Sequence, residues 1–288
     1  MQLSNLSVML SYEFMKNVLL AGLMGGAVCS VVGVLVISME LALVGIAISH
    51  AAFAGSIIFF FADIDPLIGA IIGSLLAAAT IGPMADRGDF SPDTVMGVIF
   101  AMTHGLAFLF MGMIETAKTQ ALNLMWGNAL GINDFALQIL LFVFILVIGT
   151  VVLFFKEVQA IIFNREIALA VGLPALWIFY ALLFLTGTTV AANLQSIGGL
   201  LVSTLIITPA AAAYQLTYNL KNLFLLAASF GVVSCWLGSI LSYLVDVPCG
   251  AVIVLISSLI FLIANIFSPK RRVKRLKLRK KVEVSVSE

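Results

Sequence analysis

Long apolar runs recur along the whole chain and constrain its fold more than any other feature. The stretch LVGIAISHAAFAGSIIFFF is one of them, and it contains no charged residue. A transmembrane helix needs about twenty predominantly apolar residues, and these runs approach or reach that length. They do not alternate with polar residues, as the strands of a membrane barrel do. Only 10% of the 288 residues are charged, against about 25% in a soluble domain. The sequence therefore predicts an all-α, polytopic transmembrane helical bundle that resides in a lipid bilayer.

Nine apolar segments are candidates for spans of this bundle. The seventh is the weakest, because Pro209 lies within it. A Pro-interrupted segment can be broken or re-entrant where it packs on protein or lines a cavity. The prediction is therefore eight to nine spans, with the seventh either complete or broken near Pro209. The segments run over about 18–37, 42–61, 66–82, 94–113, 135–155, 174–193, 197–215, 222–244 and 249–267.

Basic residues predict the orientation of the chain in the membrane. The segment 268–288 carries nine of the fifteen Lys and Arg. Because cytoplasmic loops collect Lys and Arg, this C-terminal tail is expected in the cytoplasm. Counting back through nine spans then places thirteen of the fifteen inside and leaves Lys16 and Lys118 outside. We expect a multi-pass protein of the cytoplasmic (inner) membrane, with a transmembrane domain over 1–267 and a basic cytoplasmic tail.

The longest cytoplasmic loop, about 156–173, contains a candidate surface helix. The segment REIALAVGLP begins with Arg165 and Glu166, carries the small Ala168, and ends with Gly172 and Pro174. Gly and Pro at these places terminate a short amphipathic helix. Such a helix suits insertion into a groove on a soluble partner, and it equally suits a helix that lies on the bilayer surface. The residues alone leave both interpretations open.

Two histidines, His50 and His104, lie near the middle of the second and fourth predicted spans. A polar group is expensive in hydrocarbon, so such residues face the bundle interior or a water-filled path. Neutral imidazole binds zinc and other transition metals. If the two spans are neighbours, both rings could serve one permeating ion. Alternatively, each ring hydrogen-bonds a carbonyl or hydroxyl on the next helix.

Carboxylates collect on the predicted outer face. Asp63 and Asp65 lie between the second and third spans, and Asp246 lies between the eighth and ninth. An acidic mouth attracts cations and raises their local concentration, so these residues predict an outer vestibule. They could equally be solvated loop charges, or could pair with basic residues of a binding protein.

The chain lacks the sequence motifs of two classes of enzyme. No Walker A pattern occurs, so we expect no P-loop binding and hydrolysis of ATP by the chain itself. A membrane metalloenzyme would want an HExxH-like pair, but His50 is followed by AAFAG and His104 by GLAFL. We therefore expect a chain that is not an enzyme, with no permanently bound cofactor and no nucleic-acid partner.

Several stretches of the sequence occur in the order and at the spacing of a known family. This resemblance extends from about residue 18 to 267. The stretches are REIALAVGLP together with SPDTVMGVIF, LNLMWGNALGINDFAL, QSIGGLLVSTLIITPAAAAYQLT and VDVPCGAVIVL. The chain resembles the permease subunits of ABC importers for metal cations, which transport zinc, manganese or iron. The resemblance implies a homodimeric permease with two cytoplasmic ABC ATPase subunits and an extracytoplasmic metal-binding protein. It also implies that Glu166, Ala168, Gly172 and Pro174, with Arg165 beside them, dock the ATPase.

The same resemblance bears on the histidines, with one departure. His50 falls where the family has a histidine in the translocation path. Relatives have an acidic residue four positions earlier, and this chain has Ile46 there. His104 lies one turn beyond a histidine of some zinc-importing relatives, whose place is taken by Ala101. We expect import of a divalent metal ion, zinc or manganese foremost. The alternative cargo is a metal chelate such as a siderophore or cobalamin, which a mostly uncharged path would suit.

Overall fold

The computed structural model describes residues 12–86, 91–113, 127 and 132–270, and within these ranges the regular structure is helical. Eight of the helices in the described ranges are long and apolar enough to cross a membrane. The prediction of a polytopic helical bundle is confirmed. The helices are α1 (Glu13–Ser38), α2 (Ala42–Phe61), α3 (Pro66–Asp86), α4 (Pro92–Met113), α5 (Asp134–Leu153), α6 (Phe155–Phe163), α7 (Arg165–Ala170), α8 (Ala175–Ile197), α9 (Gly199–Leu216), α10 (Leu220–Val245) and α11 (Cys249–Ile266).

Of the two alternatives for the seventh segment, the structure has the unbroken helix. Pro209 lies inside α9, and the interruption comes earlier, at Gly198, the single residue between α8 and α9. Gly198 has a φ of 96°, which a residue without a Cβ adopts readily. Pro209 has no N–H, so it leaves the carbonyl of Leu205 without its helical partner. The Ser30 hydroxyl of α1 lies 3.3 Å from that carbonyl oxygen and 2.7 Å from its own helix's Gly26 oxygen, so it can donate to the carbonyl that proline frees.

Short connections and end-to-end contacts show that the helices alternate in direction. The Ser268 hydroxyl, just beyond α11, donates to the Gln215 carbonyl near the end of α9 at 3.0 Å. Lys221 at the start of α10 lies over the Phe155 ring of α6. These contacts and α7 mark one end of the bundle, which we call the α7 end. The opposite end, with the turn between α10 and α11, is called the Asp246 end.

Glycines bring α2 and α3 into close contact. A Cβ added at Gly69 would collide with the carbonyl oxygen of Gly55, and one added at Gly73 would collide with that of Ala51. Small residues permit such backbone approach in membranes, where the hydrophobic effect does not drive one helix against another. The GAIIG sequence at 69–73 therefore holds α3 against the helix that carries His50.

Gly69→Ala is expected to lower the thermal unfolding temperature of the purified protein in detergent. The added methyl group must separate α3 from α2, and overpacking of this kind costs about 1–3 kcal/mol. The matched control is Gly149→Ala in α5, where nothing lies within 4 Å of the added Cβ. This control should leave the unfolding temperature unchanged or raise it slightly, since alanine is the better helix former. Equal effects of the two substitutions would contradict the close packing.

Candidate functional site

The structure brings the two histidines together. His50 on α2 and His104 on α4 place their Nδ1 atoms 3.0 Å apart. The two helices run in the same direction, since Phe61 and Phe110 near their C-terminal ends pack with ring centroids 5.4 Å apart. Both imidazoles are half-buried. The interpretation in which each ring bonds a separate carbonyl or hydroxyl is not what the structure shows, because each ring has the other as its partner.

Phenylalanines fix the orientation of the pair. Phe100, His104 and Phe108 follow one another at intervals of four residues on α4 and therefore share a face of that helix. His104 stacks on Phe100 with centroids 5.2 Å apart and meets the edge of Phe108 at 4.6 Å. His50 meets Phe100 at 4.6 Å in an edge-on contact. The polar atoms of the pair thus lie against apolar aromatic walls, which restrict the rotation of both rings.

The separation of the two Nδ1 atoms suits shared binding of one cation. Two nitrogen ligands of a tetrahedral zinc ion, with bonds of about 2.0–2.1 Å, lie roughly 3.3 Å apart. Ile46, one helical turn before His50, is half-buried and offers no donor atom. Among the described residues no group of three or more His, Cys, Asp or Glu forms a cluster. One chain could therefore offer two nitrogen ligands to a cation at this place, and further ligands would have to come from water or from another molecule.

Small residues leave one face of α4 open beside His104. Added Cβ atoms at Gly97, Gly105 and Gly112 would have no neighbour within 4 Å. Ala101 and Met102, between the first two of these glycines, are exposed. The histidine pair borders this face.

The three predicted vestibule residues are exposed and lie in turns. Asp63 and Asp246 both adopt left-handed backbone conformations, with φ of 56° and 57°. The Asp65 carboxylate accepts the Leu67 amide at 2.8 Å and so caps the start of α3. Because α1 and α2 form a short-looped hairpin, the turn with Asp63 and Asp65 lies at the same end as the start of α1. The structure thus places all three at the Asp246 end.

A cavity of about 660 Å³ opens at the Asp246 end, between the start of α1, the α8–α9 junction, α10 and α11. Asp246, Ser196, Ser239 and Cys249 are among its lining residues, and most of the remaining wall is apolar. Neither Asp63 nor Asp65 lines it, and neither does either histidine. The cavity is therefore a feature separate from the imidazole pair, and the three aspartates do not converge on it.

The predicted surface helix is α7, a short helix that ends at Ala170. Asn164 caps it by accepting the Ile167 amide at 3.0 Å. At Gly172 the chain turns with a φ of 85°, and the Leu173 amide bonds the Ala168 carbonyl at 3.0 Å. These bonds terminate the helix, as the sequence predicts.

Residues of α7 fall into two groups. Ala168 is buried, and the Arg165 guanidinium lies 4.5 Å from the centroid of the Phe179 ring on α8, so both hold α7 against the bundle. Glu166, Gly172 and Pro174 are exposed. Sequence reasoning missed the exposed apolar side chains, whose spacing of two residues does not follow the period of a helix. These are Ile167, Leu169 and Val171, exposed by 52%, 49% and 71%.

Comparisons with known proteins identify a family and a shared fold. The model of the ABC 3 transport family matches residues 11–268. The chain is 33% identical over 265 residues to the manganese transport system membrane protein MntC of Halalkalibacterium halodurans, covering 92% of this chain and 91% of that protein. It is similar to PsaBC from Streptococcus pneumoniae, solved in complex with Fab, with a TM-score of 0.84 and 30% identity over 96% of this chain and 100% of the other. An inward-facing putative metal-chelate type ABC transporter shares the fold, with a TM-score of 0.72 and 17% identity over 87% and 85% of the two chains.

The imidazole pair predicts an unusual tautomer in the metal-free protein. A hydrogen bond between two Nδ1 atoms requires that one ring carry its proton on Nδ1, whereas free imidazole side chains in water favour Nε2. The chain has two histidines in all, so selective ¹⁵N-histidine labelling should give signals from two rings, one of them protonated on Nδ1. In His104→Phe, which preserves the aromatic wall, the remaining ring should return to the Nε2 tautomer. Two Nε2-protonated rings in the unsubstituted protein would contradict this geometry.

Proposed function

Because the chain belongs to the ABC 3 transport family, we propose that it is the permease subunit of an ATP-driven importer of divalent transition-metal ions, zinc or manganese foremost. The observation that carries the proposal is the pair of imidazoles held 3.0 Å apart between two spans. The manganese named for the MntC relative supports a metal ion as cargo. ATP hydrolysis is assigned to a separate chain, since this one lacks a P-loop motif.

The α7 end is proposed as the cytoplasmic end. Lys156, Arg165, Lys221 and Lys270 lie at this end or in the helices that lead to it, and the basic tail continues from Lys270. Cytoplasmic segments carry the excess of Lys and Arg in membrane proteins. The C-terminus is then cytoplasmic, and the Asp246 end faces outward. Residues 1–267 form the permease domain in this proposal.

We assign α7 as the docking site for a cytoplasmic ABC ATPase. Its exposed apolar side chains, together with Glu166, would insert into a groove on the surface of the ATPase. Arg165 on the Phe179 ring and the buried Ala168 fasten the same helix to α8. Movement of the ATPase would therefore pass to a membrane span, while Gly172 and Pro174 shape the connection. In this division Arg165 and Ala168 transmit force, and they do not contact the partner.

The open face of α4 is proposed as the contact with a second copy of the chain. Gly97, Gly105 and Gly112 permit close backbone approach of another helix. A two-fold contact is self-complementary, so a face on one copy meets the same face on the other. Such a dimer would place two His50–His104 pairs beside one seam.

An extracytoplasmic metal-binding protein is proposed to deliver the ion at the Asp246 end. Asp63, Asp65 and Asp246 are exposed there and would supply an attractive field or pair with basic residues of that partner. The chelate alternative rests on the likeness to a putative metal-chelate type transporter, which at 17% identity shows the fold alone. Two ligand nitrogens at hydrogen-bonding distance favour a bare ion over a preformed chelate.

Leu169→Gln should uncouple transport without unfolding the permease. The matched control is Phe267→Gln, which replaces another exposed apolar residue at the same end. In the complex co-purified with its ATPase and reconstituted in vesicles, the unsubstituted protein should take up metal only with ATP. In the Leu169 variant, the amount of co-purified ATPase and the rate of metal uptake should each fall at least about tenfold, because an anchor of the interface is removed. The control should retain both. ATP-independent uptake, no uptake of any free metal ion by an intact complex, or equal effects of the two variants would contradict the proposal.

A further inference from the structure

We propose that the turn between α1 and α2, residues 39–41, is a second element of the ATPase docking site, in which the carboxylate of Glu40 meets a basic group of the partner. This inference rests on the proposed function, because it adds a contact to the site assigned to α7. The backbone conformation of Glu40, its exposure and the packing of the turn beside α7 carry it.

Glu40 occupies a backbone position that glycine normally fills. The Glu40 amide donates to the Ile37 carbonyl at 3.1 Å. The Leu41 amide donates to the Val36 carbonyl at 2.9 Å. These two bonds form a Schellman motif, in which the residue after the helix cap is left-handed and is most often glycine. Glu40 has a φ of 60° at this place, and a residue with a Cβ is strained in that conformation.

Other left-handed positions of the described chain have residues that suit them better. After α7 the left-handed residue is Gly172, with a φ of 85°. Asp63 and Asp246 have short polar side chains, which tolerate this conformation because they can bond to nearby backbone. Glu40 has neither advantage, and its carboxylate follows the C-terminus of α1, where the helix dipole disfavours negative charge. Nor does any side chain cap the start of α2. Local stability therefore does not account for a glutamate here, and a strained residue of this kind indicates a function.

The turn and α7 rest on the same support. Met39, next to Glu40, packs against the buried cluster of Ile161, Ala168 and Ala175, which joins α6, α7 and the start of α8. Helix α7 has 6 residues, whereas a stable interface involves about 20–30 residues on each side. A partner seated on α7 must therefore contact neighbouring segments as well, and the turn at Glu40 is one of them.

The exposed groups of the two elements define the chemistry of the partner. Glu40 on the turn and Glu166 on α7 are both exposed carboxylates. Ile167, Leu169 and Val171 are exposed with them. The complementary surface is an apolar groove of the ATPase with lysine or arginine at its rim. Rim charges mainly affect the association rate and the register of a complex, so Glu40 orients the ATPase while the apolar residues of α7 hold it.

Three substitutions separate conformation from charge at Glu40. Glu40→Gly removes both the strain and the carboxylate, and Glu40→Gln removes the carboxylate alone. Glu40→Asp keeps a carboxylate on a side chain that tolerates the left-handed region. The unfolding temperature of the isolated permease in detergent should rise by about 2–4 °C in Glu40→Gly, rise less in Glu40→Asp, and stay unchanged in Glu40→Gln.

The affinity for the ATPase should follow the charge instead of the stability. The permease in lipid nanodiscs is titrated with its purified ATPase at 0.1 M salt. Glu40→Gly and Glu40→Gln should bind it about two- to fivefold more weakly, the range for one exposed ion pair, and Glu40→Asp should recover part of the loss. The difference should vanish at 1 M salt, where the screening length is about 3 Å. The matched control Glu13→Gln, which removes an exposed carboxylate at the Asp246 end, should have no effect.

The outcomes distinguish this contact from its alternatives. Unchanged ATPase affinity in Glu40→Gln, with Leu169→Gln still impaired, would overturn the second contact and leave docking on α7 standing. A salt-dependent fall of the unfolding temperature in Glu40→Gln without ATPase would instead assign the carboxylate to the basic tail of the same chain. An unsubstituted permease that binds no ATPase would overturn the proposed function. Glu40→Gly and Glu40→Gln share one expected affinity, so a failure of either variant to fold leaves the other as the test.

Discussion

Hydrocarbon offers no hydrogen bonds, and this single constraint organises the molecule. A polar group within the spans is stabilised by a partner inside the protein, because an unpaired one costs several kcal/mol in lipid. Hydroxyl groups meet the constraint locally: Ser49, Thr103 and Thr186 each donate to the carbonyl four residues earlier on their own helix. His50 and His104 instead pair their Nδ1 atoms across two helices. The resulting pair is a structural contact, and in the proposed function the same two nitrogens bind the transported ion.

The same constraint explains how irregular backbone is tolerated near the centre of the bundle. Pro209 frees a carbonyl, and a serine of α1 stands beside it. The interruption of the helical backbone at Gly198 lies at the Asp246 end and not inside a span. Between α2 and α3, glycines replace side chains with direct backbone contact. The helix that carries His50 thus packs closely against α3 on one side, while α4, which carries His104, keeps an open face.

Much of the fold follows from the sequence, because lipid makes apolar length a direct signal of a span. The nine segments correspond to nine helices of the described chain, with ends displaced by a few residues; α1, for example, begins at Glu13, five residues before the predicted start. The two ends of α7 are equally local, since the Asn164 cap sets its start and Gly172 follows its end. The contact between the histidines could be predicted only on the condition that the second and fourth spans are neighbours, and the sequence alone does not show which spans are neighbours. The inward placement of Arg165 and Ala168, and the failure of the three aspartates to meet in one cavity, depend on tertiary packing that no local pattern encodes.

The proposed transport route depends on where the ion rests within the membrane. The most direct measurement is a structure of the complex in a lipid nanodisc with Zn²⁺, with the metal located by anomalous scattering or by its density. For the proposed route we expect a zinc ion bound by the Nδ1 atoms of His50 and His104, beside the open face of α4. A zinc ion held in the cavity lined by Asp246 and Cys249, with the two imidazoles still bonded to each other, would contradict it.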